Sequence, residues 1–304
     1  MDFKSALTGM ILAALGFSLF SFGDLFMKYG TQSFTAVQAA FWISLSMMFG
    51  FVSMSHELGG LRRTFKTTKL RLHLLRGGLG VIVFLMMING FQKLGLAMSY
   101  TLIFAGPFIA TILSVIILKD KIGIHRWLSI GAGFLGILIV LRPGVMPIDL
   151  AAMGILLAAF CFAGGSIIAR KIGSDEPILS FAFYNGMISL AVLTILMVIQ
   201  NGFATLPTLP QLSIFIAVAF FHIGGTFAVT RAFSSSETAL VAPFHYIQLL
   251  WGMAFGYIFF EMAVDRWTTI GGGIIVLSGI YMIYREKVKH TELNRGVTTH
   301  GAVD

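Results

Sequence analysis

Residues 126–133 read RWLSIGAG and residues 266–273 read RWTTIGGG. Five of the eight positions are identical, at a separation of 140 residues. A weaker echo comes earlier, where MKYG ends at Gly30 and RKIG ends at Gly173, 143 residues on. Two matches at nearly one offset make the chain a tandem repeat, with a small change in loop length between the copies. Each copy holds five apolar runs long enough to cross a hydrocarbon core of about 30 Å as helices. The first five are 6–27, 34–55, 72–91, 97–118 and 124–141, and the second five are 150–169, 178–199, 212–229, 239–260 and 267–284. Because five is odd, the second copy enters the membrane opposite to the first. The expected fold is all-α and integral to the membrane: ten transmembrane helices as two inverted five-helix repeats, residues 6–144 and 149–286. Inverted repeats of this kind open a shared midplane site to either side in turn. The tail 287–304 is polar and aperiodic and is expected to be disordered.

Composition agrees with the lipid bilayer as the main surroundings. Of the 304 residues, 57% are hydrophobic and 11% charged, with mean hydropathy +0.89; soluble domains carry about 25% charged residues. The net charge of +8 does not point to nucleic acid, because the basic residues form no cluster on a soluble face. They report orientation instead. With the N-terminus in the cytoplasm, 17 of the 21 Lys and Arg fall on the inner side, and only Lys28, Lys93, Arg142 and Arg266 fall outside. That asymmetry places both termini in the cytoplasm, in a plasma membrane of bacterial inner-membrane type. The basic loop RRTFKTTKLRLH, residues 62–73, reads as part of this signal, with anionic-lipid or substrate contact as the alternative.

Neither a metal nor a cofactor is expected. Cys161 is the one cysteine, which excludes an internal disulfide, and no two histidines have zinc-ligand spacing. There is no phosphate-binding loop, so nucleotide hydrolysis does not drive the protein directly. HExxH and GxSxG are absent, which weakens the competing reading of an intramembrane enzyme; a receptor without transport activity is the other alternative.

The stretches ILKDKIGIHRWLSIGAGFLGILIVLRPG (Ile117 to Gly144) and GYIFFEMAVDRWTTIGGGIIVLSGIYMIYRE (Gly256 to Glu286) resemble the repeat ends of the EamA-type transporters of the drug/metabolite transporter superfamily. The resemblance implies a secondary transporter of a small organic metabolite: an exporter, importer or exchanger of an amino acid, amine, S-adenosylmethionine or drug-like solute. It also implies that the halves rock about a site near the third, fourth, eighth and ninth spans. The family often ends the fourth helix of each repeat with a glutamate; Glu261 matches in the second copy, and Asp120 takes the place in the first. With Arg266 and Lys28 these form a set of gate or structural charges. Asp24 and Lys28, four apart, match relatives that carry S-adenosylmethionine or small zwitterions, although the arginine usual in their second span is missing from VQAAFWISL.

The polar residues inside the spans are the candidate site, since a polar group in lipid without a partner costs several kcal/mol. LVAPFHYIQLLWG, residues 240–252, puts His245 and Gln248 on one helix face, with Tyr246 and Trp251 beside them. Pro243 breaks the helix and frees a carbonyl. This face serves either helix–helix hydrogen bonding or the lining of a substrate path. Asp24 reads as a boundary pair with Lys28, a counter-charge for a cationic substrate, or a carboxylate coupled to protons. His222 is a neutral hydrogen-bonded group or a proton relay. Trp42, Asn89, Tyr100, Tyr184 and Asn185 complete the set, an inventory suited to binding cations and flat rings. The glycine pair of GMAFG (Gly252, Gly256) packs helices within the chain or forms a homodimer seam.

Overall fold

The computed structural model describes residues 3–54, 67–120, 122–143, 149–173, 176, 178–204, 206–236 and 238–300. Residues 62–66 of the basic loop and Lys121 lie outside them. The first repeat contains α1 (Phe3–Gly30), α2 (Ala36–Ser53), α3 (Leu70–Lys93), α4 (Leu96–Ile103), α5 (Gly106–Leu113) and α6 (Ile124–Leu141). The second contains α7 (Leu150–Ile172), α8 (Ile178–Ile199), α9 (Leu209–Ser235), α10 (Thr238–Val241), α11 (Ile247–Phe260) and α12 (Arg266–His300). Among the described residues, nine helical stretches are long and apolar enough to cross a membrane. The tenth apolar run, 239–260, is helical but interrupted. Large side chains such as Phe49, Ile116, Phe220, Leu250 and Leu277 are exposed on the helices, an apolar surface suited to lipid chains.

Both interruptions occur at proline. Pro107 stands at the start of α5, four residues beyond the end of α4, and a π-turn over Ser114–Leu118 closes that span. Pro243 stands in a 3-10 turn, Ala242–Tyr246, between α10 and α11. A proline lacks the N–H that would bond four residues back, so the ladder opens there in the fourth and ninth spans alike. Two buried hydroxyls return to their own helix: Ser21 donates to the Phe17 carbonyl at 3.2 Å and Thr101 to the Ala97 carbonyl at 2.9 Å, so neither is left unpaired in an apolar core.

Helix neighbours obey the repeat. The pairing of α1 with α9 is matched by α7 with α3, and that of α2 with α9 by α8 with α3. The pairs α2–α8 and α6–α12 join equivalent helices across the pseudo-twofold axis, and α4–α11 joins the fourth span to the ninth. Close approach is set by glycine. Gly9, Gly16, Gly23 and Gly30 recur every seven residues along α1, and a Cβ on each would stand 1.9 to 2.8 Å from Ser236, Val229, His222 and Ile214. Where α6 crosses α12, Gly136 and Gly271 meet, each Cβ position within 2.8 Å of the other's carbonyl oxygen. Gly252 faces the ring of Tyr100 and so packs α11 against α4, and Gly256 faces the carbonyl of Met262 just past the end of its own helix.

Two expectations are corrected. The segment 287–300 is helical, as the continuation of α12; its Lys, Glu, Leu and Arg are good helix formers, and polarity argues only against packing. The acidic residues also align differently. Lys119 and Glu261 both adopt left-handed backbone (φ 60° and 53°), with N–H groups bonded to Ser114 and Gly256 respectively. Backbone geometry therefore matches Glu261 with Lys119, and Asp120 with Met262.

These ends fasten one repeat to the other. At the end where α1 begins, Arg170 of α7 donates to Asp120 at 3.1 Å. At the opposite end, Lys28 of α1 donates to the Met262 thioether at 3.2 Å and lies 4.6 Å from the Phe260 ring centroid. No ion pair joins Lys28 to Asp24, or Glu261 to Arg266, among the described residues; a longer reach gives Lys28 a packed thioether and an aromatic face. Arg266 instead lies over the Trp267 ring at 5.2 Å. Arg142, just beyond α6, pairs with Asp265. Burial alone raises the Asp265 carboxyl; the Thr268 hydroxyl, the N–H groups of Trp267 and Thr268 and the Arg142 charge outweigh it and hold the group below its ordinary value.

Candidate functional site

Asp24, in the upper half of α1, is buried, and both of its oxygens are engaged. Tyr100 of α4 donates its hydroxyl to Oδ2 at 2.7 Å, and His222 Nε2 of α9 lies 3.1 Å from Oδ1. With the proton on Nε2 the imidazole is a second donor to the carboxylate. The three residues come from three helices and both repeats, so movement between the halves changes the carboxylate's partners.

From Asp24 the contacts run in a closed ring. The Tyr100 ring stacks on Phe104, with centroids 6.5 Å apart, and Phe104 meets His245 edge-on at 5.0 Å. His245 stacks on Phe17 of α1 at 4.8 Å and 25°. Phe17 adjoins Phe20 at 6.2 Å, and Phe20 tilts against His222 at 5.6 Å, which leads back to Asp24. Phe17, Phe20 and Asp24 share one face of α1 by helical spacing. Both proline interruptions supply members, Phe104 beside the first and His245 within the second. The result is one carboxylate with two detachable hydrogen-bond donors, set among aromatic faces that attract cations and flat rings.

The sequence singled out four members of this ring: Asp24, Tyr100, His222 and His245. Three more candidates adjoin it. Tyr246 meets Phe104 edge-on at 5.0 Å, Gln248 is buried, and the Trp251 indole donates to Ser18 of α1 at 2.8 Å. The others are placed elsewhere. Trp42 packs edge-on against Phe41, its indole N–H buried with no hydrogen-bond partner. Asn89 is half-buried on α3. Asn185 faces Gly80 across the α3–α8 contact, and Tyr184 covers the imidazole of His73 at 4.7 Å. Phe17, Phe20 and Phe104 were missed because phenylalanine in an apolar helix reads as bulk; the spacing of 17, 20 and 24 around an aspartate was the available signal.

A cleft lined by Leu94, Ala97, Gly252, Met262 and Thr268 lies beside the Lys28 fastening. It stops short of Asp24. Tyr100, whose ring lies against Gly252 and whose hydroxyl bonds Asp24, stands between the cleft and the carboxylate.

Comparison with known proteins agrees with this architecture. The model of the EamA-like transporter family matches residues 7–142 and 149–285. An S-adenosylmethionine uptake transporter of Rickettsia prowazekii is 27% identical over 93% of this chain and 95% of its own length. A riboflavin transporter of Rhizobium johnstonii is 24% identical over 91% and 90%, and a pseudopaline exporter of Pseudomonas aeruginosa 23% over 92% and 97%. One solved crystal structure, 11% identical, shares the fold with a TM-score of 0.64 over 93% of this chain and 98% of that one.

Proposed function

The chain belongs to the EamA-like transporter family, and from that premise we propose that it carries a cationic or flat aromatic metabolite through the ring around Asp24 by alternating access. The observation that carries this reading is the closure of that ring by residues of both repeats around one buried carboxylate. A substrate with a positive centre replaces Tyr100 or His222 at Asp24, and its flat part stacks on the phenylalanines and His245. Opening toward the cleft requires Tyr100 to swing off Asp24; opening toward the other end requires the Arg170–Asp120 contact to part. S-adenosylmethionine, which joins a sulfonium to a flat purine, suits this chemistry and is the first substrate to test.

Transport rather than catalysis is the reading, since the relatives named above are all transporters. The excess of Lys and Arg at the end where α1 begins supports a cytoplasmic N-terminus, and ten crossings bring the C-terminus to the same side. Protons are the coupling ion that an Asp–His pair suits best. Liposomes containing purified protein test all of this at once. Uptake and counterflow of S-adenosylmethionine, amines, nucleosides and riboflavin are measured with and without a pH gradient, for wild type and Asp24→Asn. Flux of a cationic or flat solute, lost in the variant, is the expected result. Flux indifferent to Asp24→Asn removes the carboxylate from the site.

A further inference from the structure

A second acid–base pair lies away from the ring, at the end of the bundle where α3 begins. His73, in the first turn of α3, is buried, and neither ring nitrogen has a hydrogen-bond partner among the described residues. Its Nε2 lies 3.7 Å from Glu176 Oε2, an atom also buried without a partner. The other carboxylate oxygen accepts the Thr67 hydroxyl at 2.6 Å. Tyr184 and Phe181 of α8 wall in the imidazole, with centroids 4.7 and 5.3 Å away. The neighbouring cations are already directed elsewhere. Arg76 donates to the Phe181 carbonyl at 3.2 Å and lies over the Phe181 ring, and Lys69 donates to the Ile172 carbonyl.

The separation decides what completes the pair. A water bonded to both atoms at ~2.8 Å holds them roughly 4.5 Å apart, more than the distance found. A direct hydrogen bond needs them somewhat closer, and a neutral imidazole gives little to offset the burial of a carboxylate. A proton satisfies both groups: the imidazolium donates from Nε2, the carboxylate accepts, and the bond becomes charge-assisted. We infer that His73 and Glu176 form a proton-binding site at the end of the bundle where α1 begins. His73 belongs to the first repeat, and Glu176 to the connection between α7 and α8 in the second. One bound proton therefore adds a charge-assisted tie between the two halves at this end, and its loss leaves the buried carboxylate with the Thr67 hydroxyl alone, which loosens them. The consequence for conformation rests on the transporter reading; the binding of the proton does not.

The test is nuclear magnetic resonance of the full chain, carrying isotope-labelled histidine, in lipid nanodiscs from pH 5 to 9. The resonance missing from His73→Gln identifies His73. It is expected to titrate in wild type, with a midpoint at least about one pH unit higher than in Glu176→Gln, as loss of an opposite charge at this distance requires. Asp24→Asn is expected to leave it unmoved. Should His73→Gln fail to fold, the one resonance whose midpoint falls in Glu176→Gln serves instead. A His73 resonance that does not titrate, or that titrates identically with and without the Glu176 carboxylate, overturns the proposal. Absence of flux in liposomes with this titration intact overturns only the transport reading.

Discussion

Gly23 holds His222 in place: a Cβ at Gly23 would stand 2.3 Å from the imidazole Cδ2 and 2.7 Å from Nε2. Because Nε2 is the atom bonded to Asp24, the glycine sets the geometry of its neighbour in the chain. Gly23→Ala is expected to push His222 off the carboxylate, to destabilise by about 1–3 kcal/mol through overpacking, and to lower flux. Gly224→Ala, whose Cβ would meet only Leu19 at 3.6 Å, is expected to be neutral or slightly stabilising. Thermal unfolding and flux of the two variants check this, and equal losses in both would sink it.

Asp24→Asn and Tyr100→Phe separate charge from hydrogen bonding. The asparagine keeps shape and can still meet Tyr100 and His222, so the expected result is a stable protein with at least a tenfold loss of flux. Tyr100→Phe leaves a buried carboxylate oxygen without its donor and is expected to cost about 1–3 kcal/mol. Melting curves should rank the phenylalanine variant as the less stable of the two.

The Tyr246 hydroxyl occupies the space in front of Gly279 on α12, 1.7 Å from where a Cβ would be. Gly279→Ala therefore requires the tyrosine to move and is expected to destabilise by roughly 1–3 kcal/mol. Adding Tyr246→Phe removes the nearest atom, and partial recovery in the double variant is the expected sign of that contact. Additive losses would place the cause elsewhere.

Asp265 supplies a pH dependence whose sign is fixed. Its carboxyl lies below the ordinary value of 3.8 in the folded chain, so its contribution is complete above that value and is lost as pH falls through the folded one. The side chain is 44% exposed, which limits the effect to under about 1 kcal/mol. Wild type should therefore melt slightly above Asp265→Asn at pH 6, and the difference should close below pH 3.8. A gap that widens with acid would contradict the assignment.

The repeat, the inversion and the placement of ten crossings were legible because RWLSIGAG and RWTTIGGG recur at one offset; Gly271 of the second copy meets Gly136, three residues beyond the first. Asp24, Tyr100, His222 and His245 were legible because a polar group in lipid must have a partner. Which partner was not legible. Periodicity gives the face of one helix but not the helix it meets, so Tyr184 and Asn185 looked equivalent to Tyr100 yet face α3. Asp120 was aligned with Glu261 by chemical likeness, whereas the shared left-handed cap aligns Lys119 with Glu261. His73 and Glu176 gave no signal at all, since neither spacing nor neighbours mark two residues that meet only through folding.

The two fastenings described at the ends of the bundle are mirror images in position and opposites in chemistry. Arg170 is exposed, Asp120 half-buried, and the two are oppositely charged, so dissolved salt screens their attraction. Lys28 rests on a thioether and an aromatic face, neither of which carries a net charge for salt to screen. Ionic strength then acts selectively: raising it weakens Arg170–Asp120 at one end and Arg142–Asp265 at the other, and leaves the Lys28 contacts in place. A scaffold built from matching halves thereby keeps, at one end, a contact that salt does not reach.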